Sequence, residues 1–327
     1  MKALTVCVLL SLLCARGWPQ ADSALVWPAP PDPPRIRHVA TIGPQSVFKH
    51  EGGFFSKIVS LVFGEKRPSG WLVQPVGIAV SGEGLIYVAD PGSHGIHIID
   101  RAQQEYDFFS QSRLGKLLSP VGIAIAADGT IYVSDSDRGD IMVLNKDREP
   151  QYAFHDHLER PTGIFIVQKT LYVADARLHK VLMYDLTGKY LGEFGARGAG
   201  DGEFNYPVAV AGGNSIYVVD ALNYRIQEFD PRGKFLSKFG MQGNAGGSFA
   251  SPKSVALDSS GNRYVTDALM DNFQIFNARG QLLLIVGKHG DRDGQFMSPG
   301  GIAIDDHDNI YVVDMLNKRV QIFKFVK

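Results

Sequence analysis

Pro207-Val-Ala-Val-Ala211, Ile216-Tyr-Val-Val-Asp220, Ile226-Gln-Glu-Phe-Asp230 and Phe235-Leu-Ser-Lys-Phe-Gly240 are four short apolar runs in close succession. Each is four to six residues long and rich in Val, Ile, Tyr and Phe, the composition of a pleated, half-buried strand rather than of a helix. Turn chemistry separates the last two at Arg232-Gly233, and a glycine there supplies the positive φ that a tight hairpin needs. The stretch reads as four antiparallel strands in a single chain segment.

The same segment recurs six times. Its first strand appears as Pro75-Val-Gly-Ile-Ala-Val80, Pro120-Val-Gly-Ile-Ala-Ile125, Pro161-Thr-Gly-Ile-Phe-Ile166, Pro207-Val-Ala-Val-Ala211, Pro252-Lys-Ser-Val-Ala-Leu257 and Pro299-Gly-Gly-Ile-Ala-Ile304. Its second strand ends in Asp90, Asp135, Asp175, Asp220, Asp267 and Asp314. The prolines are 45, 41, 46, 45 and 47 residues apart and the aspartates 45, 40, 45, 47 and 47. A repeat of this period, built from four antiparallel strands, is a β-propeller blade, because radial stacking leaves only short exposed edges. The sixth unit stops at Lys327 after its third strand, while Arg37-His-Val-Ala-Thr-Ile-Gly43 carries the fourth-strand pattern ahead of the first unit. The N-terminus therefore completes the last blade and closes a ring. The third residue of each opening strand is Gly77, Gly122, Gly163, Ala209, Ser254 or Gly301, all small, as a crowded axis requires. The expected fold is all-β, a six-bladed propeller of four-stranded blades with residues 37–43 as closing strand, 44–74 as an insertion and 75–327 as repeats.

The segments outside the repeat and the composition set the setting. Lys2 precedes an apolar run from Ala3 to Leu13, long enough for an export signal and too short to span a membrane. Residues 1–23 are read as a signal peptide, cleaved after Gly17 or after Ser23. Both cysteines, Cys7 and Cys14, fall inside it; Cys14 is a possible lipid-anchor site, although Leu13 before it is larger than such signals favour. Removal of residues 1–23 leaves 31 basic and 33 acidic side chains and no cysteine, so disulfides and thiolate chemistry are excluded from the mature chain. The near-neutral balance gives no attraction for nucleic acid. Residues 24–36 form a proline-rich arm, Trp27-Pro-Ala-Pro-Pro-Asp-Pro-Pro34, expected to be an extended spacer or a docking strip. Phe54-Phe-Ser-Lys-Ile-Val-Ser-Leu-Val-Phe63 is expected to pack on the propeller as a strand or short helix.

Phe194-Gly-Ala-Arg-Gly-Ala-Gly-Asp-Gly-Glu-Phe204, followed by Pro207, Asp220, Asn223 and Arg225, resembles the NHL repeat. Gly290-Asp-Arg-Asp-Gly-Gln-Phe296 with Asp314, Asn317 and Arg319 matches it again, and the resemblance covers residues 37–327. The first three blades depart from it: Ser93, Gly95, Arg138 and Lys180 replace parts of the Asn-x-Arg pattern, and the Gly-Asp-Gly-x-Phe loop is absent. The resemblance implies the propeller fold. NHL-like proteins include protein-binding scaffolds, RNA-binding domains and a peptide-amidating lyase that uses histidines and a metal, so it leaves function open.

Six carboxylates at equivalent strand ends are read as turn-satisfying architecture, not as a catalytic or metal set. His94 and His97 form one close pair and His155 and His157 another, the latter on one face if that segment is extended; three or four converging ligands are needed for zinc, and the remaining ones are not visible. No Gly-x-Ser-x-Gly elbow and no phosphate-binding loop occurs. The loops after the second strands share one face with the blade-to-blade loops, and their unrepeated residues are the candidates for a ligand. Arg138, Arg177, Leu178, His179, Leu222, Tyr224, Leu269, Met270, Met315 and Lys318 make up a candidate partner interface, with Leu316 beside them. The leading expectation is an exported periplasmic or cell-surface scaffold that binds a protein or peptide, with no cofactor. The alternative is a metal-dependent lyase or hydrolase with its site at the propeller axis.

Overall fold

The computed structural model describes residues 25–43, 46 and 71–326. Residues 1–23, read above as a signal peptide and containing Cys14, and the apolar run Phe54–Phe63 lie outside the described residues. Six antiparallel sheets surround one axis. Blade 1 comprises Gly77–Val80, Ile86–Asp90, Gly95–Asp100 and Glu105–Phe109. Blade 2 comprises Pro120–Ile125, Ile131–Asp135, Asp140–Leu144 and Pro150–Phe154. Blade 3 runs through Pro161–Val167, Thr170–Asp175, Lys180–Asp185 and Tyr190–Phe194, and blade 4 through Pro207–Gly212, Ile216–Asp220, Arg225–Phe229 and Phe235–Phe239. Blade 5 contains Pro252–Leu257, Arg263–Asp267, Asn272–Phe276 and Leu282–Val286. In each of these five blades the strands lie in chain order from the axis outward.

Blade 6 joins the chain ends. Pro299–Ile304, Asn309–Asp314 and Arg319–Phe325 supply its first three strands, and Ile36–Ile42 the fourth, with Ile36 opposite Phe325 and Ile42 opposite Val320. The closing strand thus begins and ends one residue earlier than the sequence pattern suggests. A fifth strand, Val26–Trp27, pairs with Ile36 and Arg37. The proline arm is therefore folded back rather than extended. Its prolines offer no N–H for pairing and turn the chain, while Arg35 N–H donates to Trp27 O at 2.7 Å and the Trp27 ring meets Phe323 edge-on at 5.7 Å.

The small third residues of the inner strands are explained by contact between blades. A Cβ on Gly77 would stand 1.9 Å from Val121 O of the next blade, and one on Gly122 would stand 2.4 Å from Thr162 O. Glycine lets neighbouring inner strands approach more closely than any side chain permits. Between blades, Phe204, Phe249 and Phe296 are fully buried at the ends of three glycine-rich loops and fill the wedge between successive sheets. Blades 1 and 2 are joined instead by a small hairpin, Gln111–Ser112 with Gly115–Lys116.

Candidate functional site

On one face of the ring, here the top face, lie the turns between second and third strands and the loops entering each new blade. The fourth residue of each turn is left-handed: His94, Gly139, His179, Tyr224, Asp271 and Lys318 have φ between 50° and 68°. The strand-end aspartates hold these turns. Asp175, for example, accepts the N–H groups of Glu159 and Arg160 before the opening proline and of Arg177 and Leu178 in the turn, at 2.8, 2.8, 3.0 and 3.0 Å. All six aspartates are without exposed surface. Burial raises the carboxyls of Asp220 and Asp314 above the usual range, against the opposing hydrogen bonds from Asn223 and Arg225 and from Asn317 and Arg319. Burial also acts on Asp90, but hydrogen bonds from His97 and the amides of Val73 and Gln74 prevail and lower it. The carboxylates bind their own backbone and are not presented to a ligand.

The turn geometry divides the candidate interface residues into two groups. The second residue of each turn points outward: Leu222 is 52% exposed, Leu269 74% and Leu316 60%, on three consecutive blades. Arg177, in the same position on blade 3, is exposed and pairs with Glu159 at 3.2 Å. Lys318 is exposed, and Met315 lies at the rim of the central channel. The third and fourth residues are largely occupied. Arg138 clamps Asp140 through Nε and Nη2 and Lys116 O through Nη1, and the hydrogen bond to Asp140 raises its pKa further. Leu178 and Tyr224 pack against the cores of their blades. His179 Nδ1 accepts the Tyr206 N–H at 3.1 Å, and Met270 Sδ lies 3.8 Å from Gln274 Nε2. Val73 and Leu118, exposed in the loops entering blades 1 and 2, continue the apolar ring and carried no repeat signal.

The axis is a channel of about 570 Å³. Its wall is formed by the six inner strands, and among the described residues the ionisable ones along it are Lys253 near the top opening and Asp306 near the bottom. Phe165 is 36% exposed there and occupies the place of Ala79, Ala124, Ala211, Ala256 and Ala303 in the other blades.

The histidine pairs do not form sites. His155 and His157 were expected to share a strand face, but the outer strand of blade 2 ends at Phe154 and both lie in the following turn. His157 has φ 66° and stacks on Tyr190 at 4.0 Å. His94 meets Leu118 O, whereas His97 is fully buried. Its Nε2 faces both Ser93 Oγ at 3.1 Å and Asp90 Oδ2 at 3.2 Å, and its Nδ1 faces Tyr106 Oη at 2.8 Å. A nucleophilic triad needs serine and aspartate on opposite ring nitrogens, so this cluster is a core network. Among the described residues, no group of three or more His, Cys, Asp and Glu side chains is placed to hold a metal.

No protein-family model matches the chain, and no curated protein matches it. Solved structures do. Virginiamycin B lyase from Staphylococcus aureus, solved as an inactive variant with quinupristin, shares 13% identity over 79% of this chain and 97% of its own, with a TM-score of 0.58. An auxiliary nutrient binding protein from Bacteroides thetaiotaomicron shares 15% over 80% and 71%, with a TM-score of 0.62. A chain of the nidogen/laminin complex shares 20% over 70% and 84%, with a TM-score of 0.56. At these identities the likeness shows the fold, a six-bladed β-propeller.

Proposed function

We propose that the chain is an exported NHL-type propeller that binds a protein or peptide across its top face. The observation that carries this reading is the row of exposed leucines Leu222, Leu269 and Leu316 on blades 4, 5 and 6, on the face where Met315 and Lys253 line the opening of the channel. Leucines at the outer position of a turn contribute little to the blade beneath. Set together, with Arg177 and Lys318 at the periphery, they have the apolar centre and charged rim of a partner surface. One structural neighbour is named a nutrient binding protein, and another is a chain of the nidogen/laminin complex. Among the described residues no helix is long and apolar enough to cross a membrane.

The likeness to a lyase supports the second reading, an enzyme with a metal at the axis. Among the described residues, the ionisable side chains lining the channel are Lys253 and Asp306, so such a centre would have to draw on donors beyond this wall.

The test is affinity purification of the tagged mature protein from its native cells beside a variant carrying Leu222→Asp, Leu269→Asp and Leu316→Asp. Because these side chains are exposed, the melting temperature is expected to stay within a few degrees of the parent. A stoichiometric partner captured by the parent is expected to fall at least about tenfold in the variant, in keeping with the loss of central anchors. Equal capture by both folded proteins overturns the assignment of this face.

A further inference from the structure

Charge is distributed unevenly along the axis. The residues that follow the opening prolines are Val76, Val121, Thr162, Val208, Lys253 and Gly300, and all of them line the channel at its top end. The residue before each opening proline is neutral except in blade 3, where it is Arg160. Lys253 and Arg160 are both exposed. Among the described residues neither is paired with a carboxylate, whereas the neighbouring Arg177 is already held by Glu159 at 3.2 Å. The strand-end aspartates beneath them are fully buried. The two innermost positions of the top face therefore carry two free cations and no anion.

The ring of turns around this mouth is divided. Its second residue is Gly92, Asp137 or Arg177 on blades 1 to 3 and leucine on blades 4 to 6, where Leu222, Leu269 and Leu316 are exposed. At the other end of the axis, the turns between first and second strands bring Glu83, Asp128 and Asp306 to the surface, with Lys169 as their one exposed lysine or arginine among the described residues. Asp306 lines the channel there. The channel thus runs from a positive opening to a negative one, and low-dielectric walls focus such a field. An anionic group is drawn to the top and repelled from the bottom.

We propose that the top face takes an acidic peptide segment, which lays apolar side chains on Leu222, Leu269 and Leu316 and sets carboxylates over the channel mouth against Arg160 and Lys253. This deepens the reading of the top face as a partner surface and rests on it. Charge complementarity selects the occupant, because unpaired cations beside an apolar row match a segment in which carboxylates are mixed with apolar residues. A nucleic-acid backbone would need a run of cations that this mouth does not have. The leucines supply the anchors, while the exposed cations set the choice of partner and the speed of encounter.

A phage-displayed random peptide library is selected on the mature protein, and the enriched sequences are remade as labelled peptides and titrated by fluorescence anisotropy. The titrations include a charge-reversed variant, Arg160→Glu with Lys253→Glu, and the leucine variant Leu222→Asp, Leu269→Asp and Leu316→Asp. The parent is expected to enrich peptides that combine Leu, Ile or Phe with an excess of Asp and Glu. Their Kd is expected to rise at least about tenfold in the charge-reversed variant. Raising the salt from about 50 to 300 mM is expected to weaken parent binding about three- to tenfold and to leave the charge-reversed variant unchanged or improved. If the double variant does not fold, Lys253→Gln alone and the salt series on the parent decide. Peptides that need the leucines but carry no acidic excess, or that bind the charge-reversed protein as well as the parent, overturn the acidic assignment and leave the partner face standing. Peptides that bind the leucine variant as tightly as the parent overturn the face itself, and a parent that enriches no peptide overturns the peptide occupant.

Discussion

Arg263 sits where the other five blades carry Ile86, Ile131, Leu171, Ile216 and Ile310, yet it is 5% exposed. It is held between blades, with its guanidinium 4.6 Å above the Tyr217 ring and Nη2 3.7 Å from Glu228 Oε1. Glu228 also accepts hydrogen bonds from Tyr217 Oη at 2.8 Å and Ser237 Oγ at 2.7 Å. Burial alone would raise the Glu228 carboxyl, but bonds from Ser237, Tyr217 and Ser215 and the charge of Arg263 carry it below the ordinary glutamate range. A depressed carboxyl stabilises the fold above its unfolded pKa and loses that contribution as pH falls through the folded one. Glu228→Gln is therefore expected to lower stability at pH 7 by about 3 kcal/mol, since Arg263 loses its counter-charge. The variant is expected to lose less Tm than the parent between about pH 5 and pH 3, which melting curves across that range will read. An equal fall in both would place the acid sensitivity elsewhere. The arginine is visible in the repeat alignment as the one polar residue in an aliphatic column; its glutamate, contributed by another blade, is not.

Strand positions were legible because each blade strand is short, apolar and bounded by turn residues, so local pattern and global packing agree. The inner-strand glycines illustrate what one element owes to another. The Gly122 Cα faces Thr162 O of blade 3 and Ser134 Oγ of its own blade, and an added Cβ would lie 2.4 and 2.8 Å from them. Gly122→Val is expected to separate blades 2 and 3 and to cost about 2–3 kcal/mol in urea unfolding. A cost below about 0.5 kcal/mol would show that the blades can yield without loss. The top-face turns were only half legible. Their sequences name the residues, but the left-handed fourth position turns Tyr224 and His179 inward while leaving Leu222 and Arg177 outside. Spacing along the chain does not carry that rotation.

At the scale of the molecule, ring closure depends on Ile36–Ile42. Ile36 and Ile42 are essentially buried, and their transfer from water accounts for about 3–6 kcal/mol, comparable with the whole stability of an ordinary domain. A chain beginning at residue 43 is expected to lose the cooperative melt and to elute as expanded or associated species. A chain beginning at Arg35 keeps the closing strand and loses the Trp27 contact with Phe323, so it is expected to stay monodisperse with a Tm lower by a few degrees. Circular dichroism melts and gel filtration of the two truncations will separate these outcomes; equal behaviour would mean that closure does not rest on this strand.

The sequence by itself determined the number of blades, their four-strand order and the use of the N-terminal strand to close the ring. Those properties are repeated in the chain, and each copy independently states the same periodicity and the same turn residues. Tertiary structure alone decided that the proline arm folds onto blade 6, which turn residues reach solvent, and that His155 and His157 lie in a turn rather than on a strand face. Such features depend on which groups from different blades meet across a few ångströms, and a local pattern does not encode that distance.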